Sequence, residues 1–531
     1  MQSTLTSTTE QPFEALIERR APEDILFAFD GVPVSHEKFS QMVAQSVAWL
    51  SARNIGKGDV VAVWLVNRVE WLALLFACAR IGAVLAAVNT RYRASDVAHV
   101  VGLSGAKLLV LEPGFRAIDF PAILADLDRA ALPALETIAI VGEGDVKTHW
   151  PSVRFDAFAK EAPADGARTP QGEANAPLLL FTTSGTTKGP KLVAHSQATL
   201  ATHAQAIAVA LDLGAGHSLL AMLPFCGVFG MASVLAFLAG GARIHVMDAF
   251  DAAPALAIFE AEKITHGFGS DEMFRRMLAL TDTPKPMAHA QVIGFAAFQP
   301  GWREFAASAA QRGLPLYGLY GSSEVQALFS IGRADAPFAD RIECGGWAMS
   351  PQARVRVRDM ETGGIAGAGV SGEIEISAPS CFLGYFNNPQ ATAEATTSDG
   401  FFRTGDIGRM REDGSFVYET RAGDAMRLGG FLVGPGEIED ELKACAGVAD
   451  AQVVAVEIGT QARCAAFVIA SPGVSPQESE LIAQVRARLA GYKTPARIFF
   501  VDAFPITDSA NGVKIQRAKL RAMAMERLAG A

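Results

Sequence analysis

The stretch FTTSGTTKGPKLVAHS at residues 181–196 combines the kinds of residue that hold phosphate groups. Glycines let backbone N–H groups turn toward an anion, hydroxyls donate further hydrogen bonds, and lysine supplies positive charge. We therefore expect a loop that holds a polyphosphate, rather than an ordinary serine- and glycine-rich surface loop. The residues that would do so are Thr182, Thr183, Ser184, Gly185, Thr186, Thr187 and Lys188.

The common nucleotide-binding loop does not describe this stretch. That loop reads G-x-x-x-x-G-K followed by Ser or Thr, and it opens a helix whose N-terminal amides surround the phosphates. Here only three residues separate Gly185 from Gly189, and Pro190 lacks the N–H that such a helix start would offer. A different phosphate-binding architecture is indicated.

Three further stretches carry residues suited to nucleotide chemistry. YGSSE at 320–324 offers Glu324 to a metal ion, FRTGDIG at 402–408 offers Asp406 to ribose hydroxyls, and NGVKIQRAKLR at 511–521 offers Lys514. An isolated charged residue is usually a solvated surface residue. The functional interpretation therefore depends on the order of the four stretches in one chain.

The elements that must position these residues follow an α/β pattern. Strand-like VVAVWLV (60–66), helix-like EWLALLFACARIGA (70–83) and strand-like AKLLVL (106–111) alternate in the first part of the chain. Glycine and charge concentrate in ETRAGDAMRLGG (419–430), and a compact α+β pattern follows. We expect a large N-terminal domain of layered α/β subdomains over 1–422 and a small mobile α+β domain over 423–531 that carries Lys514.

Composition excludes several classes of protein. Of the 531 residues, 50% are hydrophobic and 19% are charged, which is typical of a globular protein. A net charge of −10 argues against nucleic-acid binding. The six cysteines lack C-x-x-C spacing, and the N-terminus lacks the apolar core of a signal peptide, so a cytoplasmic protein without disulfides or a zinc site is expected. Proline and glycines interrupt the uncharged segment 219–242, so we expect it to be buried beside a pocket and not to span a membrane.

Together the four motifs resemble those of the adenylate-forming enzymes, a superfamily that includes acyl-CoA synthetases, luciferases and the adenylation domains of peptide synthetases. The resemblance covers about residues 25–521. It implies that the loop at 182–191 holds the β- and γ-phosphates of ATP, and that Glu324 binds Mg²⁺. The remaining implied nucleotide contacts are Tyr320 on adenine, Ser323 on the α-phosphate, Asp406 and Arg421 on ribose, and Lys514 on the α-phosphate and the substrate carboxylate.

The resemblance also implies two half-reactions. The acid first attacks the α-phosphate, and a thiol then displaces AMP after the small domain has turned about a hinge at Gly423. The face then presented to CoA would include Arg427, Gly429 and Gly430. A pocket for an apolar acid is expected from Phe225, Gly227, Phe229, Ala296 and Ala297, with Phe295 and Phe298 beside it.

The sequence departs from the family pattern at several of these positions. Ser323 replaces threonine, Val513 separates Gly512 from Lys514, and Gly227 stands where many relatives carry histidine. In GFGSDEMF (267–274), Asp271 and Glu272 either face the pocket or belong to a capped helix start, which we favour.

These features predict an ATP- and Mg²⁺-dependent acid–CoA ligase that acts on a small to medium, mainly apolar, aryl or aliphatic acid. Two alternatives are open. The acceptor could be the phosphopantetheine of a carrier protein, or the chain could be a catalytically silent adenylate-binding protein. The retention of Lys514, Glu324 and Asp406 disfavours the second alternative.

Overall fold

A computed structural model describes residues 13–18, 20–115, 118–144, 146–159, 172–183, 190–297, 302–428, 431–458, 461–489, 491–509 and 512–529. From the N-terminus to residue 210, the elements are α1 (Ala15–Glu18), β1 (Ile25–Phe29), β2 (Val32–Ser35), α2 (His36–Ser51), β3 (Val60–Trp64), α3 (Val69–Ile81), β4 (Val84–Ala87), α4 (Ala94–Ser104), β5 (Leu108–Leu111), α5 (Phe120–Ala125), β6 (Thr137–Ile140), β7 (Ser152–Arg154), β8 (Pro177–Thr182), β9 (Leu192–Ser196) and α6 (Gln197–Ala210).

The second part of the large region runs to residue 421. Its elements are β10 (Ser218–Ala221), α7 (Val228–Gly240), β11 (Arg243–Val246), α8 (Ala252–Ala261), β12 (His266–Ser270), α9 (Asp271–Leu278), β13 (Val292–Ala296), α10 (Trp302–Gln311), β14 (Leu316–Ser322), β15 (Gln326–Ile331), α11 (Phe338–Arg341), β16 (Gly345–Ala348), β17 (Arg354–Arg358), β18 (Gly372–Ser377), β19 (Gly384–Tyr385), α12 (Pro389–Glu394), β20 (Phe402–Met410) and β21 (Phe416–Arg421).

The C-terminal part is built from shorter sheets. Its elements are β22 (Met426–Leu428), β23 (Phe431–Val433), α13 (Pro435–Lys443), β24 (Val448–Ile458), β25 (Gln461–Ala470), α14 (Glu478–Arg488), β26 (Arg497–Phe500), β27 (Ile506–Ser509), β28 (Gly512–Ile515) and α15 (Arg517–Ala529).

Two large sheets organise the first 421 residues. One has the order β19-β9-β8-β4-β3-β5-β6-β7, and the other has the order β17-β18-β20-β21-β16-β15-β14-β13-β12-β10-β11-β1-β2. The second sheet is parallel from β14 through β13, β12 and β10 to β11 and β1, and it becomes antiparallel from β14 to β17. Mixed α/β architecture, as the sequence predicts, is confirmed.

Side-chain alternation along β3 shows how the layers form. Val61 and Val63 join the core that contains α2, α3 and α7, whereas Ala62 and Trp64 join the core beneath α4 and α5. Because successive side chains of a strand point to opposite faces, an apolar run such as VVAVW can be buried on both sides. The first layer contains α4 and α5, and the sheet that contains β3 follows it. Central helices that include α2, α3 and α7 separate this sheet from the second sheet, and α8–α10 cover the outer face of the second sheet.

The uncharged segment 219–242 forms β10 and the buried helix α7. Every residue from Val228 to Leu238 is buried, so this helix is apolar on all sides because it lies in the central layer. No helix among the described residues is both long and apolar enough to cross a membrane. The expectation of a buried segment is confirmed.

The C-terminal elements have cores of their own. One core packs α13 and α14 against β24–β26, and another packs α15 on the opposite face of the same sheet. Between β21 and β22 the chain makes a turn in which the N–H groups of Asp424 and Ala425 both donate to the carbonyl of Arg421. This turn contains the predicted hinge Gly423, and the division of the chain at residue 422 stays a prediction.

Candidate active site

The hairpin between β14 and β15 presents the YGSSE motif. A Cβ atom on Gly321 would lie 2.6 Å from the Cα of Ala327, so the two strands can approach this closely only with glycine. The tight approach places Ser323 and Glu324 in the turn between the strands. Both side chains are partly exposed there.

Tyr320 and Asp406 form a buried hydrogen bond beneath this turn. The Tyr320 hydroxyl donates to Asp406 Oδ2 over 2.6 Å, and the two residues are 7% and 3% exposed. Burial and the adjacent Asp406 carboxylate raise the pKa of Tyr320 well above its ordinary value, so the phenol keeps its proton and donates it. The Tyr320 ring packs against Phe416 and Tyr418, with ring centroids 5.2 and 6.0 Å away.

Asp406 also pairs with Arg421 across neighbouring strands. The two residues are register partners on β20 and β21, and Arg421 Nη1 lies 2.9 Å from Asp406 Oδ1. Gly405 has φ +67°, which favours glycine, and it lets the Thr404 hydroxyl accept a hydrogen bond from the Asp406 N–H. The Arg421 side chain is 51% exposed, so the buried carboxylate is linked to a cation that reaches the surface of the cleft.

Glu324 is held by a residue that the sequence analysis did not single out. The hydroxyl of Tyr385 donates to Glu324 Oε1 over 2.9 Å, and the ammonium of Lys191 lies 4.2 Å from the centroid of the Tyr385 ring. Burial and the Glu324 charge raise the pKa of Tyr385, so its phenol remains a donor. Tyr385 lies in the stretch GYFNNP at 384–389, whose glycine, asparagines and proline are residues typical of turns.

The two ends of the phosphate loop meet near these residues. Thr183 and Lys191 form a pair in which the Lys191 N–H donates to Thr183 Oγ1 and the Thr183 N–H donates to the Lys191 carbonyl, both over 3.0 Å. Thr182 accepts a hydrogen bond from the Tyr92 hydroxyl over 2.9 Å. The remaining predicted loop residues lie outside the described part of the chain: Ser184, Gly185, Thr186, Thr187 and Lys188.

The residues predicted to line the acyl pocket lie on two elements. Phe225, Gly227 and Phe229 precede or begin α7 and are buried, and the Phe225 ring packs edge-on against Trp71 at 6.3 Å. Ala296 and Ala297, at the end of β13, are partly exposed. Their role in binding an acid stays a prediction.

Asn67 fixes the segment that leads to α7. Its side-chain amide donates to the carbonyls of Leu223 and Met247 and accepts from the Phe225 N–H over 2.7 to 3.0 Å. Asn67 is 2% exposed, so this buried amide has partners for both its donor and its acceptor. Sequence reasoning missed it because all three partners are distant in the chain.

The expectation that Phe295 lies beside the acyl group is wrong. Phe295 is fully buried, and its ring packs against Trp302 and Phe305 in the outer core. Successive residues of β13 alternate between faces, so Phe295 points away from the face that carries Ala296. Phe298 lies outside the described residues.

The acidic pair in GFGSDEMF belongs to a helix start, as we favoured. Ser270 is the N-cap of α9, and its hydroxyl accepts from the Met273 N–H over 3.3 Å. Asp271 and Glu272 occupy the first turn, where negative charge complements the helix dipole. Glu272 also pairs with Arg275 of the same helix at 3.8 Å, so its charge has a partner without a ligand.

The predicted small-domain residues lie on two hairpins. Lys514 is in β28 opposite Thr507 of β27, and Arg427 is in β22 opposite Leu432 of β23. The side chains of Lys514 and Arg427, and the residues Gly429 and Gly430, are outside the described part. Their predicted roles therefore stay predictions.

The donor set near Glu324 suits one way of binding Mg²⁺. Within the described ranges, no group of three or more His, Cys, Asp and Glu side chains could hold a metal ion. Mg²⁺ is commonly held by one or two carboxylates together with substrate phosphates. A single carboxylate near Lys191, at the end of the predicted phosphate loop, fits that pattern.

The match to family models decides the family. The model for AMP-binding enzymes matches residues 13–386, and the model for the AMP-binding enzyme C-terminal domain matches residues 437–511. The chain belongs to the AMP-binding enzyme family. As the motifs predicted, it is an AMP-forming acid–thiol ligase of the acyl-CoA synthetase type.

Relatives extend over nearly the whole chain. A methyl-dioxo-octahydroindenyl-propanoyl:CoA ligase of Mycobacterium tuberculosis is 30% identical over 95% of this chain and 96% of its own length. Feruloyl-CoA synthase of an Amycolatopsis species is 29% identical over 93% of this chain and 96% of its own length. ATP-bound MatB from Rhodopseudomonas palustris is 23% identical with a TM-score of 0.82 over 98% of this chain and 100% of that structure, which shows the shared fold.

Proposed function

We propose that this ligase activates a small to medium, mainly apolar carboxylic acid with ATP and transfers the acyl group to CoA. The observation that carries the proposal is the clustering of Tyr320, Asp406 and Arg421 in one bonded group beneath the hairpin that presents Glu324. These residues come from two of the four sequence motifs and from the strand that precedes the hinge. Their convergence supports a nucleotide site at this position.

Each residue of the group has chemistry suited to one part of ATP. Asp406 would accept from the ribose hydroxyls, because each oxygen of an ionised carboxylate is a hydrogen-bond acceptor. Arg421 would add donors at the exposed rim, and the Tyr320 ring would lie against adenine. The Ser323 hydroxyl would donate to the α-phosphate.

Glu324 would hold Mg²⁺ through its carboxylate. When bound, Mg²⁺ would neutralise charge on the phosphate oxygens. Tyr385 would orient Glu324 through its hydroxyl, and Lys191 would place a further positive charge at the end of the phosphate loop. These groups would favour attack by the acid on the α-phosphate, since charge builds on the phosphate oxygens during that step.

The small domain would supply one residue to each half-reaction. Lys514 would contact the α-phosphate and the substrate carboxylate during adenylation. After rotation about Gly423, the face that carries Arg427, Gly429 and Gly430 would approach CoA, because residues without side chains leave room for a pantetheine arm.

The acid is proposed to be apolar because the pocket positions are uncharged. Gly227 and Ala296 offer small surfaces, and Ala296 packs against the core that contains Phe225 and Phe229. Ala297, two residues after Phe295, packs against the outer core instead. Feruloyl-CoA synthase and the octahydroindenyl-propanoyl:CoA ligase are named for acids that contain rings. This supports aryl and alicyclic acids as the first to test.

The test is a panel of aromatic, alicyclic and fatty acids, assayed for pyrophosphate release with and without CoA and for thioester by mass spectrometry. The proposal predicts release with an apolar acid and thioester when CoA is added. Acyl-adenylate without CoA thioester would favour a carrier protein as acceptor. No release with any acid, while ATP still binds, would favour the catalytically silent alternative.

A further inference from the structure

One side of the Glu324 hairpin is bonded to the segment that follows the phosphate loop. His195 precedes the N-cap of α6, and its Nε2 lies 2.7 Å from the carbonyl oxygen of Ser323. One turn later, the carbonyl of Thr199 accepts from the Gln326 side-chain amide over 3.0 Å. A turn further, His203 Nε2 lies 2.8 Å from the carbonyl oxygen of Ala327.

Both imidazoles act as neutral donors in these contacts. His195 and His203 are 0% and 3% exposed, and burial lowers the pKa of each to about 4. A backbone carbonyl can only accept, so each Nε2 carries the proton and donates it. The proton positions of both rings are thus fixed by the hairpin.

The bonded segment contains strained backbone. Gln326 has φ +66° and Leu328 has φ +61°, a left-handed conformation that is uncommon for residues with a Cβ. Both are about 1% exposed. Such backbone persists only where its surroundings hold it, and the Gln326 amide, which also donates to the Ser380 carbonyl over 3.3 Å, is one of the contacts that hold it.

A single strand, β9, connects the end of the phosphate loop to helix α6. The loop ends at Lys191, β9 follows at once, and the Ser196 N-cap starts α6 with a capping box formed with Thr199. No flexible connection intervenes between Lys191 and His195, because β9 is paired on both sides, with β8 and β19. The position of His195 is therefore fixed relative to the end of the loop.

We propose that His195 is a positioning residue that sets the Ser323 hydroxyl and the Glu324 carboxylate relative to Lys191, with His203 holding the far side of the same hairpin. The carbonyl that His195 binds belongs to the peptide that joins Ser323 to Glu324. A catalytic group must be held within about 0.5 Å of its productive position, so loss of this bond displaces both side chains together. The inference rests on the proposed roles of Ser323 and Glu324.

Three variants of His195 separate a positioning role from a merely structural one. His195→Leu removes the donor at similar volume, His195→Asn keeps a polar group that is too short to reach, and His195→Gln places an amide nitrogen near the site of Nε2. The control is His266→Leu, because His266 is equally buried, has its pKa lowered to about 4, and packs against Phe237 and His217 away from the hairpin.

The measurements are the Mg²⁺ dependence of ATP binding by isothermal calorimetry, the Mg²⁺ concentration that gives half-maximal pyrophosphate release, and the rate of thioester formation from prepared acyl-adenylate and CoA. Loss of a group that orients a metal ligand typically costs about 10- to 100-fold in metal affinity or activity. We expect an increase of that size in the Mg²⁺ requirement for His195→Leu and His195→Asn, with the thioester half-reaction near the parent rate. The Mg²⁺ requirement of His195→Gln should lie within roughly threefold of that of the parent. His266→Leu should keep the parent Mg²⁺ requirement even where its thermal stability falls.

Glu324→Gln distinguishes failure of this inference from failure of the proposed function. If Glu324→Gln raises the Mg²⁺ requirement but folded His195→Asn does not, the positioning role is refuted alone. If Glu324→Gln leaves the requirement unchanged, the proposed role of Glu324 is wrong, and the inference is refuted with it.

Discussion

The substitution Asp406→Asn tests the proposed ribose contact with little change of shape. The amide oxygen can still accept from the Tyr320 hydroxyl, so the buried phenol keeps a partner. What is lost is the negative charge that faces ribose and Arg421. The variant also loses the ion pair between Asp406 and Arg421, so its stability must be measured together with its affinity for ATP.

The expected loss of ATP affinity follows from the burial of the carboxylate. The Asp406 side chain is 4% exposed, so water screens its charge little. Hydrogen bonds to a charged group are worth about 1.5–3 kcal/mol and neutral ones about 0.5–1.5 kcal/mol. Two ribose hydroxyls that each lose about 1–1.5 kcal/mol would together lose about 2–3 kcal/mol, or roughly 30- to 150-fold in affinity.

Isothermal calorimetry of ATP binding measures this effect directly, with thermal unfolding as the check on folding. The matched control is Asp335→Asn, because Asp335 is 71% exposed and pairs with Arg333 at the surface. We expect the control to bind ATP like the parent. A folded Asp406→Asn variant whose ATP affinity is within about twofold of the parent would refute the ribose assignment.

Three further predictions address other parts of the site. Tyr385→Phe removes the donor to Glu324 and should raise the Mg²⁺ requirement for pyrophosphate release by about tenfold or more. The control Tyr317→Phe, at a ring that lies 5.4 Å from the Arg341 guanidinium, should leave the Mg²⁺ requirement unchanged. Lys514→Ala should slow acyl-adenylate formation by about 10²–10³ while thioester formation from prepared adenylate continues. Arg427→Ala should slow thioester formation and leave adenylate formation near the parent rate. If folded Lys514→Ala slows both half-reactions equally, Lys519 becomes the next residue to test. Burial lowers the pKa of His195, His203 and His266 from 6.5 to about 4, so as the pH falls each imidazole is protonated first in the unfolded chain. The contribution of these histidines to the free energy of unfolding should be complete above pH 6.5 and fall toward pH 4 by up to about 1.4 kcal/mol per pH unit for each histidine. A denaturation profile that is flat between pH 6.5 and about 4.5 would contradict this prediction.

Local patterns predicted several elements of the fold. The helix expected over 70–83 forms at Val69–Ile81 and ends where Gly82 adopts φ +72°, and the strand expected over 60–66 forms at Val60–Trp64. Apolar periodicity and glycine punctuation are properties of short windows, so they can be recognised in one sequence. The family resemblance extended these windows to a whole architecture.

Contacts between distant residues could not be predicted in the same way. Tyr385 meets Glu324 across 61 positions, and His195 meets Ser323 across 128, so nothing in either local sequence names the partner. The error at Phe295 is of another kind, because strand alternation alone places it on the face opposite to Ala296. The same alternation puts Ala297 on the face of Phe295, where it packs against the outer core.

The central claim is that the acid attacks the α-phosphate of ATP before the thiol attacks the acyl carbon. Supplying the acid with both carboxylate oxygens as oxygen-18, together with ATP and CoA, tests this order of bonds directly. One labelled oxygen then bridges carbon and phosphorus in the adenylate and leaves with AMP when sulfur bonds to carbon. We predict one oxygen-18 atom in AMP for each thioester formed, and none in pyrophosphate. Label in orthophosphate with release of ADP, or thioester formed with unlabelled AMP, would contradict the account.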